Sequence, residues 1–137
     1  MATQAVNDLS CDALNIIGGS QEFFFLSLYS VNAHGEPVGP LDLSTVTEIE
    51  WLFAPFSVIK EKGAAILNKK WTQDDIIVLR DGSDGESNLI QVTINSFDTA
   101  NLQGAFLHQI LVTDGAGAVF VPFEGVININ RRIRTTL

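Results

Sequence analysis

Leu89-Ile90-Gln91-Val92-Thr93-Ile94-Asn95 alternates without a break, with Ile90, Val92 and Ile94 on one side and Leu89, Gln91, Thr93 and Asn95 on the other. Successive side chains of a β-strand point to opposite faces, so this stretch predicts a strand half-buried against a core. The same period recurs in residues 105–113. There Phe106, His108, Ile110 and Val112 share one face, and Leu107, Gln109 and Leu111 the other. Residues 96–102, between the two runs, suit one short helical turn capped by Ser96 or Asp98.

Outward from this pair the pattern stays β. Asp81-Gly82-Ser83-Asp84-Gly85-Glu86 is dense in turn formers and predicts an antiparallel connection back to the β-branched run Ile76-Ile77-Val78-Leu79. Asp114-Gly115-Ala116-Gly117 is a hairpin signal leading into residues 118–122, and Gly125 precedes a last strand over 126–129. Upstream, residues 21–31 carry Phe23, Phe24, Phe25, Leu26, Leu28 and Tyr29, apolar on both alternating sets, as expected of a strand covered on both faces. Asn32, Gly35, Pro37, Gly39 and Pro40 then predict a turn. A strand over 46–53 follows, its alternation imperfect enough for a bulge, and Pro55 closes it. Short β segments over 58–60 and 64–70 come next, then a polar corner at Thr72, Asp74 and Asp75. The prediction is an all-β protein, an antiparallel sandwich of about seven to nine strands. Residues 1–18 read as an arm with at most one helical turn, 19–130 as the sandwich, and 131–137 as a basic tail.

A length of 137 residues suits one domain. Sixteen acidic against eight basic residues give a net charge of -8, which disfavours nucleic acid as a partner, because that affinity comes from cations on phosphates. No apolar run is long enough to span a bilayer, and the first residues lack the basic start of a signal peptide, so a soluble protein without membrane contact is expected. Cys11 is the single cysteine, which excludes an internal disulfide.

Candidate chemistry is thin. Acyl transfer needs a nucleophile, a base and a group to orient it, yet His34 sits in a turn, His108 in mid-strand and Cys11 in the arm. No catalysis is expected. Asp81, Asp84 and Glu86 offer oxygen ligands, but their spacing departs from a calcium loop and reads as a solvated hairpin turn, so no metal or other cofactor is assigned. Trp51, Trp71 and Tyr29 have the amphipathic rings a carbohydrate-binding module uses, although core packing is the better account of Trp51.

The 46% of hydrophobic residues, with 11 glycines besides, sits slightly above the ~45–50% apolar share of soluble domains. Residues 23–28, 76–79, 110–112 and 118–121 are apolar on both sides, where a solitary sandwich would alternate sharply. Outward sheet faces are therefore expected to lie against other subunits, in a homo-oligomer or a larger assembly. Phe23, Phe25, Trp71, Arg131, Arg132 and Arg134 are the contact residues this implies.

The order Asp98-Thr99, Ala100-Asn101-Leu102, Gly104, Phe106, His108, Val112, Asp114, Gly117, Val121, Gly125, Val126 resembles the pattern of small Ig-like β-sandwich domains in tailed-bacteriophage virion proteins. These include the amino-terminal domains of upper-baseplate proteins. The first half is similar too: residues 25–31, Gly35-Glu36-Pro37, Leu41-Asp42-Leu43-Ser44, then residues 46–52. Together the match covers about residues 20–130, and it departs in the arm, in the arginine-containing tail and at Phe106, where tyrosine is common. The resemblance implies an Ig-like sandwich and a non-enzymatic virion structural protein, expected as a stand-alone capsid decoration or cement subunit touching other virion proteins. A baseplate or tail-associated subunit and a carbohydrate-binding sandwich are the alternatives.

Overall fold

A computed structural model of the 137-residue chain describes residues 3–5, 14–34, 36–55 and 65–131. Eleven strands run through them: β1 (Thr3–Ala5), β2 (Leu14–Ile17), β3 (Glu22–Leu26), β4 (Leu28–Val31), β5 (Pro37–Pro40), β6 (Glu48–Pro55), β7 (Leu67–Lys70), β8 (Ile76–Asp81), β9 (Asn88–Ile94), β10 (Gly104–Thr113) and β11 (Val119–Asn130). Three-residue 3-10 turns at Trp71–Gln73 and Ser96–Asp98 are the only helical pieces among the described residues.

The strands form a five-stranded sheet in the order β2-β11-β10-β6-β7, a three-stranded sheet β3-β9-β8, and a small sheet β1-β4-β5. Neighbours are antiparallel except β2, which runs parallel to β11. The five- and three-stranded sheets close on one core. Their inner faces supply Phe24, Leu26, Ile90, Val92 and Ile94 on one side and Trp51, Phe53, Ile110, Val112 and Ile127 on the other. Two sheets in this order, with the third strand of the sandwich, β6, carrying a buried tryptophan, make an Ig-like sandwich.

Period two places the core as the sequence predicts. In β9 the buried residues are Asn88, Ile90, Val92 and Ile94, and in β10 they are Phe106, His108, Ile110 and Val112.

Several boundaries differ. The strand read over 21–31 is two strands broken at Ser27, because Asn88 intervenes where the β3–β9 ladder would continue. The buried Asn88 carboxamide accepts the Leu28 N–H at 2.7 Å and donates to the Leu28 and Leu41 carbonyls, each at 2.7 Å. It thus satisfies both main-chain groups of Leu28 on that side and leaves β4 to pair with β1 and β5. The turn expected around Pro37 contains β5. No register shift interrupts β6 against β10, so the bulge its alternation allowed is absent there; in the five-stranded sheet a shift lies between Ile110 and Val112, opposite Val121 and Pro122. Pro122 has no N–H to offer a ladder and sits in that irregularity, so β11 runs on as one twelve-residue strand where two were expected. The cap of the Ser96–Asp98 turn is Asn95, closed by Asp98 Oδ2 accepting the Asn95 N–H at 2.8 Å.

Part of the expected arm is integral to the fold. Residues 14–17 are β2, with Ile16 in the core, and residues 3–5 pair with β4. The helical turn and Cys11, the segment over 58–60, and Arg132 and Arg134 lie outside the described residues. No helix among the described residues is long and apolar enough to cross a membrane.

Candidate docking surface

His108 projects inward from the middle of β10, on the face it shares with Phe106, Ile110 and Val112, and its ring is buried. Trp51 Nε1 donates to His108 Nδ1 at 3.0 Å, which fixes the neutral ring with its proton on Nε2. Burial in this apolar setting pushes the imidazole pKa down to about 3. Phe24 and Phe123 meet the ring edge-on at 5.6 and 4.8 Å between centroids. Phe24 on β3 and His108 on β10 bridge the two sheets beside Trp51, the place an inter-sheet disulfide takes in antibody domains. A methyl group on Gly125, the register partner of His108, would stand 2.8 Å from Phe123 and 3.0 Å from His108 Nε2. This histidine packs in the core among Phe24, Trp51 and Phe123.

His34 lies exposed in the β4–β5 turn, its backbone N–H donating to Asn32 Oδ1 at 2.8 Å. The carboxylates of the acidic turn serve their own backbone. Asp81 Oδ1 accepts the Ser83 N–H at 2.9 Å, and Asp84 Oδ1 accepts the Glu86 and Ser87 N–H groups at 2.8 and 3.3 Å. Hydrogen bonds from the Ser83 backbone and hydroxyl hold the Asp81 carboxyl below its ordinary value. Among the described residues no group of three or more His, Cys, Asp or Glu side chains is arranged to hold a metal ion. The three aromatic residues do not converge: Trp51 is buried, Tyr29 is on β4, and Trp71 packs partly on the core beside β7.

The outer face of the three-stranded sheet is different. Phe23 and Phe25 on β3 are 53% and 51% exposed, while Phe24 and Leu26 between and beyond them are buried. The strand is therefore covered on one face in the isolated chain, not on both. Across the sheet, Ile77 and Leu79 of β8 are 46% and 47% exposed. Between them the outward residues of β9 are Leu89, Gln91 and Thr93, paired in register with Arg80, with Phe25 and Ile77, and with Phe23. Phe23, Phe25 and Ile77 thus share one sheet face around Gln91, with the exposed Leu79 beside them at the register shift in β8 and Arg80 opposite Leu89. The exposed area of the four apolar side chains, on the order of 300–400 Å², matches the largest apolar patch of a typical monomer, which is often functional.

Of the six contact residues expected from sequence, Phe23 and Phe25 stand together on this face, Trp71 is at the β7–β8 crossover, and Arg131 is exposed after β11. Arg132 and Arg134 lie outside the described residues. Sequence reasoning marked the run over 76–79 as doubly apolar without placing Ile77 and Leu79 among the contact residues. Their shared parity, opposite to the buried Ile76, was the available signal. Phe97, 77% exposed on the Ser96–Asp98 turn, was missed, because an aromatic residue within a predicted turn carries no periodicity.

The residues that carry the family resemblance have structural roles. Thr99 Oγ1 accepts the Gly19 N–H at 3.0 Å, Asp114 Oδ1 accepts two N–H groups of its hairpin, and Gly104 and Gly117 have φ of +105° and +86°. Phe106 stacks on Phe53 with ring centroids 4.7 Å apart.

No family model matches the chain, and no curated protein is similar to it. Among solved structures it is similar to CopC from Methylosinus trichosporium OB3b, at 8% identity and a TM-score of 0.47 over 98% of this chain and 99% of that one. It is also similar to the fibronectin(III)-like modules of Clostridium thermocellum CbhA, at 9% identity and a TM-score of 0.41 over 94% and 96% of the two chains. Likenesses this distant say nothing of what the chain binds, and its assignment as an Ig-like sandwich rests on its own strand order.

Proposed function

We propose that this chain is a non-enzymatic structural subunit of a phage virion, a decoration or cement protein seated on neighbouring virion proteins by the outer face of β3-β9-β8. The observation that carries this is the uncovered row of Phe23, Phe25, Ile77 and Leu79 on a sheet whose other face is core. Burying such a face releases about 25 cal/mol per Å² of apolar area before association costs, and repetition over a lattice multiplies a modest single contact into avidity. The motif order shared with tailed-phage sandwich domains supports the virion setting; a baseplate or tail position would use the same face. Homo-oligomeric contacts between copies belong to this proposal as well.

The test is co-sedimentation of the purified chain with particles that lack it, run beside a glycan titration. The proposal expects the chain to pellet with particles and to bind no glycan. Saturable glycan binding that is lost on Trp71→Ala, with no particle association, overturns it in favour of the carbohydrate-binding module.

A further inference from the structure

We draw no further inference here: the strongest candidate, the apolar patch of Phe23, Phe25 and Ile77 on the outer face of the β3-β9-β8 sheet, belongs to the docking surface already described, and nothing in the structure shows what covers it.

Discussion

Phe25 and Ile77 stand on opposite edge strands of the three-stranded sheet, and both pair in register with Gln91 of β9. They are the two ends of one row across an uncovered face. Phe25→Ser or Ile77→Ser should therefore change folding stability by less than about 1 kcal/mol, as at other surface positions. Phe24→Ala, one residue away but in the core, should cost about 3–5 kcal/mol. Urea denaturation of the three variants checks this. Equal losses for Phe24 and Phe25 would mean that the face is covered within the chain.

Asn88 is the junction between two sheets, and its carboxamide serves three main-chain groups. Asn88→Ala leaves the Leu28 N–H and the Leu28 and Leu41 carbonyls without those partners. An expected loss of about 2–4 kcal/mol follows, with faster amide exchange in β4 and β5 than in β9. Hydrogen exchange read residue by residue distinguishes this local release from uniform destabilisation.

Lys69 Nζ and Asp98 Oδ2 form a 2.7 Å ion pair with both side chains about nine-tenths covered, tying β7 to the turn after β9. Removing one partner strands a buried charge. Lys69→Met should cost about 3–5 kcal/mol, and adding Asp98→Leu should recover part of it. A double-mutant cycle by thermal or urea denaturation measures the coupling, and additive losses would contradict it.

The buried His108 gives the chain an acid-sensitive core. Its folded pKa of about 3 lies below the 6.5 of a free histidine, so the unfolded chain binds the extra proton between those values. Stability from this group is present above pH 6.5 and is lost as the pH falls toward 3, by up to about 1.4 kcal/mol per pH unit. His108→Gln keeps an acceptor for Trp51 Nε1 and removes the titration. Its stability should fall less steeply than that of the wild type between pH 6 and 4, approximately the middle of that window, in urea midpoints taken at several pH values. Parallel slopes would contradict a neutral buried imidazole.

What the sequence displays well is period. The alternation in β9 and β10 identifies Ile90, Val92, Ile94, Phe106, Ile110 and Val112 as core before any coordinates, because a half-buried strand has no other way to distribute its side chains. What it conceals is pairing. Whether 21–31 is one strand or two depends on Asn88, some sixty residues away, and whether β11 survives Pro122 depends on a bulge facing β10. The parallel pairing that turns residues 14–17 from arm into sheet is likewise set by a partner strand near the other end of the chain. The candidate face was half visible. Phe23 and Phe25 stood out by composition, but only register shows that Ile77 joins them across Gln91.

Copy number in purified virions measures the account most directly. Particles are grown with the gene for the wild-type chain or for the Phe23→Ser, Phe25→Ser variant, and the chain is quantified by mass spectrometry against a shell protein. The account predicts many copies per particle for the wild type and less than about a tenth of that for the variant, which remains folded because both side chains are surface residues. Absence of the wild-type chain from particles, or equal incorporation of the two, would contradict it.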